Sequence, residues 1–169
     1  MLHIFRLLWI GLFAAAIYEI VTTYPDLPQQ IAVHFDASGQ PDSVGEKNVF
    51  YAFFVGLLVF LNILFFSISL LIRKIPLSMI SVPWKSYWCA NEDSTKLMYR
   101  KLGEILAMAG VLVSGSSYLI NLTVMRCSTS PAPCPTGDFI RANLVWIILG
   151  CTFIFLILSF LFLKPKSQN

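Results

Sequence analysis

Charge is what this sequence has least of. Its 169 residues include 12 Lys and Arg, 9 Asp and Glu and two His, so that charged side chains make up 12%. A soluble domain carries about 25%, and half of that cannot cover a water-facing surface. Basic runs are missing too, which leaves the net charge of +3 without the clustered patch that nucleic acid requires. Catalytic signatures are equally absent: there is no HExxH, no GxSxG and no phosphate-cradling glycine loop. No repeat, low-complexity tract or separate water-soluble unit interrupts the chain. These absences lead us to expect a protein that is not an enzyme, holds no cofactor or metal and binds no nucleic acid.

What is present is apolar length. Hydrophobic residues reach 57% and the mean hydropathy is +0.73. Four stretches, at about 7–23, 49–72, 103–125 and 142–163, approach the ~20 apolar residues that cross a bilayer as a helix. Val49–Ile72, Ile105–Met125 and Ala142–Leu163 contain no charge, whereas Glu19 interrupts the first stretch. Ala14-Ala15-Ala16 gives that first stretch some likeness to a cleaved signal peptide. Its short polar lead and the lack of a polar flank after Ala16 favour a retained helix. The expected fold is one all-α membrane domain of four transmembrane helices with a small extracytoplasmic cap.

Lysine and arginine fix an orientation. Arg6, Arg73, Lys74, Lys85, Lys96, Arg100, Lys101, Lys164 and Lys166 fall on one side of the spans, and only Lys47, Arg126 and Arg141 on the other. Basic residues stay cytoplasmic, so both termini and the middle loop are expected inside, with His3, and the loops 24–48 and 126–141 outside. Cys127 and Cys134 then lie in an oxidising compartment, around Pro131 and Pro133, where a disulfide is permitted. Closing so short a loop stabilises by about 2.5 kcal/mol on the chain-entropy view; two free thiols are the alternative. Cys89 falls on the reducing side, and Cys151 falls within the last span, where it acts as a small apolar residue.

The first outer loop has the strongest local patterning. Pro25 and Pro28 end the first helix. Ile31, Val33 and Phe35 alternate with Ala32, His34 and Asp36, the period of a half-buried strand. Asp36-Ala37-Ser38-Gly39 suits a type I turn, and a short strand or hairpin is expected to cap the outer mouths of the helices. The run Leu27-Pro28, Ile31, Val33-His34-Phe35, Gly39, Pro41-Asp42, Gly45 and Lys47 resembles the signature of the family called domain of unknown function 1648. This likeness covers the loop and its flanking spans. Val82-Pro83-Trp84-Lys85-Ser86-Tyr87-Trp88 also resembles a segment of small relatives of that family. The resemblance implies a protein of the bacterial cytoplasmic (inner) membrane, related to the SdpI-type immunity proteins. Its implied role is in immunity or signalling, with the outer loop meeting a peptide or another membrane protein.

Candidate functional residues follow. His34, Phe35, Asp36, Gly39 and Asp42 form the candidate partner-binding face; one histidine among scattered carboxylates lacks the spacing of a metal site. Glu19 and Asn121 each stand five positions inside an outer boundary residue, Tyr24 and Arg126, which sets both roughly 7 Å deep. They are placed to meet, with Arg141 reaching down. Such a glutamate serves either an ion, proton or peptide site or helix packing. Asn62, with Ser114, Ser116 and Ser117, is able to bond between helices, and Gly103, Ala107, Gly110 and Ser114 form a small-residue seam. Together Glu19, Asn62 and Asn121 also suggest a polar path for a small transporter or accessory subunit. Four spans make a narrow transporter, so that role calls for a homo-oligomer. Trp84, Tyr87 and Trp88 share one side if helical, suited to the inner headgroup zone or to docking a protein. Asn91, before Glu92 and Asp93, is a helix cap, from which the third span runs inward with Lys96, Arg100 and Lys101 on a wetted stretch.

Overall fold

A computed structural model describes residues 2–36, 40–129 and 144–165. Five helices and a hairpin follow in order: α1 Leu2–Thr23, β1 Gln30–Phe35, β2 Pro41–Glu46, α2 Lys47–Leu71, α3 Lys85–Trp88, α4 Glu92–Thr129 and α5 Leu144–Leu163. The segments containing α1, α2, α4 and α5 are each long and apolar enough to cross a membrane. Residues 126–129 of the second loop form the end of α4, whereas 130–143, with Cys134 and Arg141, and the Ala37-Ser38-Gly39 turn lie outside the described residues.

α1 stops where proline makes it stop. Pro25 begins a single tight turn over Tyr24–Asp26, and Leu27 leaves it in extended geometry ahead of Pro28, as a residue before proline prefers. The chain then pairs β1 with β2 antiparallel, Gln30 opposite Glu46 and Ile31 opposite Gly45, with irregular register on both sides of His34. The hairpin's turn end is tied by Asp36 N–H to Gln40 O at 2.8 Å and by Gln40 N–H to the Asp36 carboxylate at 2.9 Å. Simple alternation holds only in part. Ile31 is buried, but so is Ala32, because the Ala32 N–H turns to Ser128 Oγ at 3.1 Å on the C-terminal end of α4.

α1 and α4 lie side by side and parallel, with α2 antiparallel against them. Leu2 sits at Gly103 and Trp9 at Gly110, so the small-residue seam of α4 is the surface that receives α1. Gly110 is the tightest point: a Cβ there would come within 2.0 Å of the Trp9 ring. The main apolar core gathers Ala16, Ile20, Leu27, Ile31, Tyr51, Leu58 and Val124. α5 stands apart, packed chiefly against α4. Most of its large side chains, including Phe153, Ile154 and Phe160, remain exposed, as suits a helix whose surroundings are hydrocarbon.

The middle loop makes a second, smaller core around Ile80, Trp88 and Met98. Tyr99 O–H donates to Ile75 O at 2.8 Å, and Thr95 O–H to Trp88 O at 3.0 Å. Asn91 caps α4 by accepting the Ser94 N–H at 2.8 Å.

Candidate functional site

Polar side chains hold the three packed helices together at three depths. Nearest the hairpin, Tyr51 O–H donates to Asn121 Oδ1 at 2.6 Å, and the Asn121 amide N–H donates to the Glu19 carboxylate. The other Glu19 oxygen is buried without a partner. In the middle layer Trp9 Nε1–H donates to Asn62 Oδ1 at 2.5 Å, and Ser114 O–H shares that acceptor at 2.9 Å. Asn62 spends its own N–H on Leu58 O at 2.8 Å. At the far end Arg6 donates to Ser69 O and Oγ at 2.9 and 2.8 Å. Each layer joins α1 to α2, and two of them include α4.

Apolar packing separates the layers. Trp9 and Glu19 are ten residues apart on α1, ~15 Å at the helical rise, with buried Ala16 between them and buried Leu58 facing from α2. Glu19 and Asn121 meet, therefore, but Asn62 belongs to a different layer.

Over the layer nearest the hairpin sits a roof of aromatic rings and the hairpin itself. Tyr24 meets Tyr51 edge-on at 5.3 Å, and Phe50 stacks on Phe54 at 5.5 Å. Lys47 clasps this roof. Although only 8% exposed, it donates to Leu27 O at 2.8 Å and Tyr24 O at 3.3 Å, and stands 4.8 Å over the Tyr24 ring. Its own N–H reaches Gln29 O at 2.9 Å. One residue thus ties the exit of α1 to the start of α2.

The hairpin's polar residues face outward. His34 Nδ1 lies 2.5 Å from Asp42 Oδ1, with side chains 70% and 46% exposed; such an open pair stabilises by at most about 1 kcal/mol. Phe35 and Val33 instead turn down onto the core. Asp36 closes the loop, and Gly39 lies outside the described residues. Gly45 sits beneath Val33, where a Cβ would approach to 3.1 Å. Among the described residues no three His, Cys, Asp or Glu side chains gather in a manner able to hold a metal.

At the opposite end the aromatic trio divides. Trp84, at φ 55°, packs on Phe160 of α5 with centroids 4.9 Å apart and stays partly exposed. Trp88 is 1% exposed, so it does not share an open surface with Trp84, because the middle loop folds over it. Lys101 departs from the expected wetted stretch as well. It is half-buried, donates to Phe162 O, and lies over the Trp88 and Phe162 rings at 5.2 and 4.6 Å. Cys89 and Cys151 are free thiols, and Cys127 is not among these.

Four helices of spanning length and apolarity make this a multi-pass membrane protein. Within it, residues 10–59 match the family described as domain of unknown function (DUF1648), the family that the Leu27–Lys47 run resembles. The match takes in most of α1, the hairpin and the first half of α2. No curated protein and no solved structure matches the chain.

Proposed function

We propose that this is a non-enzymatic protein of the bacterial cytoplasmic membrane, of the immunity or signalling kind, with both termini inside. Its outer hairpin recognises an extended peptide segment of a toxin or envelope protein. The observation that carries this reading is the asymmetry of the hairpin's edges. β1 is backed by α4, with Ser128 taking the Ala32 amide. No described strand pairs with the far edge of β2, and only α2, into which it runs, packs substantially on it. An open edge is a template for strand addition by a peptide. Val44, 66% exposed on β2, and the His34–Asp42 pair supply side-chain contacts beside it. The split of basic residues between the two ends supports the orientation, and a Cys127–Cys134 bridge would hold the neighbouring outer loop.

Transport through Glu19, Asn62 and Asn121 is the weaker reading, since buried Leu58 and Ala16 interrupt that path.

The test is sensitivity to envelope-active peptides. Cells lacking the protein should be more sensitive than the parent. Val44→Lys, a charge of the kind that blocks edge pairing, should restore no more resistance than an empty vector although the protein reaches the membrane. Full restoration by Val44→Lys would rule out edge recognition.

A further inference from the structure

A large space among the described residues lies at the opposite end from the hairpin. A cavity of about 760 Å³ opens between the start of α1, the segment after α2, α3, α4 and the end of α5. Arg73, Arg100, Lys101 and Lys164 converge on it from three different parts of the chain, and among the described lining residues the one carboxylate is the buried Glu104. Gathering like charges at one point is unfavourable unless a counter-ion sits among them. Among the described residues, neither the His34–Asp42 nor the Lys96–Glu92 salt bridge engages Arg73, Arg100 or Lys164.

A second feature points to a ligand. Trp88 lines the cavity, is 1% exposed, and its indole N–H has no hydrogen-bond partner. A buried donor without an acceptor costs about 1–3 kcal/mol, a cost removed when an anionic oxygen enters. A smaller pocket of about 320 Å³ shares Arg73 and Arg100 with this one and adds Arg6, whose Nε is likewise buried and unpartnered. Two unfilled donors therefore adjoin the same cationic cluster. Depth and lining fit as well. Arg73 follows the last turn of α2 and Lys164 the last turn of α5, which sets the cations where hydrocarbon gives way to headgroups. Leu161 and Phe162 contribute apolar wall.

We infer that this cavity binds the phosphate of an anionic phospholipid headgroup, held by Arg73, Arg100, Lys101 and Lys164 with the Trp88 N–H as donor. Basic pockets between membrane helices take such headgroups by this chemistry. The site needs only that the helices span lipid, so it stands or falls apart from peptide recognition by the hairpin.

The experiment uses the full chain in detergent, titrated with phosphatidylglycerol, phosphatidylcholine or inorganic phosphate, with bound lipid counted by native mass spectrometry and melting temperature followed in parallel. Wild type should retain phosphatidylglycerol, rise in melting temperature with it, and respond to neither of the others. Lys164→Gln removes an exposed charge beyond the helix end and should weaken retention about fivefold. Arg73→Gln with Arg100→Gln should weaken it further. Lys74→Gln with Lys96→Gln removes equal charge outside the cavity and should leave retention unchanged. Equal loss in that control would reduce the effect to general surface attraction and overturn the site, as would undiminished retention in Lys164→Gln. Stabilisation by inorganic phosphate alone would overturn the lipid assignment in favour of a soluble phosphate compound.

Discussion

Lys47 stands at the first position of α2, where the helix's own partial charge is positive and a cation is disfavoured by about 0.3–1 kcal/mol. It is kept there by the carbonyls of Tyr24 and Leu27 and by the Tyr24 ring. Hydrogen bonds from a charged donor contribute about 1.5–3 kcal/mol, enough to exceed the dipole penalty. Lys47→Met should therefore loosen the roof without unfolding the bundle: amide exchange across the hairpin should accelerate while α4 stays protected. Equal protection of the hairpin in the variant would remove the clasp from the account. The same residue shows what a sequence can and cannot disclose. Read alone, Lys47 is one of three basic residues on the outer side, and nothing nearby says that it is buried. The spacing of Glu19 and Asn121 from the expected boundary residues Tyr24 and Arg126, by contrast, carried their meeting, because one rise per residue applies to both helices. Tyr51 was missed in that layer since an aromatic at a helix end reads as an interfacial anchor. Arg6 and Ser69 were missed because their pairing depends on the antiparallel register of α2.

Among elements, the contact of α1 with α4 is the closest and the most sensitive. The Trp9 ring lies over Gly110 and is fixed by its bond to Asn62, so it cannot swing aside for a methyl group. Gly110→Ala should cost about 1–3 kcal/mol by overpacking and appear as a lower melting temperature in detergent. Gly56→Ala, where a Cβ meets nothing within 4 Å, should change little. Equal melting of both variants would mean that the seam does not govern this packing. The seam itself was legible from small residues at three- and four-residue spacing, though its partner helix was not. Helix count was legible from apolar length, and the hairpin from alternation and proline. The burial of Trp88 was hidden because it arises from a loop folding back, and loops leave no periodic trace. Glu104 escaped notice at the edge of an uncharged run, where a carboxylate looks like the boundary of the span rather than part of a cavity.

For the whole molecule, the helices are unequal and the difference has a direction. α4 has 38 residues, ~57 Å at the helical rise, against a hydrocarbon core of ~30 Å. Its charged first turns, from Glu92 to Lys101, extend past the ends of α1 and α2 and carry the middle loop. Cysteines introduced at Ser43 and Ser94 test the frame. An impermeant maleimide should label Ser43→Cys in intact cells and Ser94→Cys only after the membrane is opened. The reverse pattern would invert the orientation and, with it, the outward role proposed for the hairpin.

The three polar layers have a mechanical consequence. Their partners match at only one axial offset of α1, α2 and α4, so sliding any one of these helices lengthwise by a single residue would break bonds at several depths at once. Piston motion is thereby suppressed. Whatever meets the hairpin reaches the other face of the membrane only by tipping or turning these three rods as one block, and α5, held mainly along one side, is the part free to swing against them.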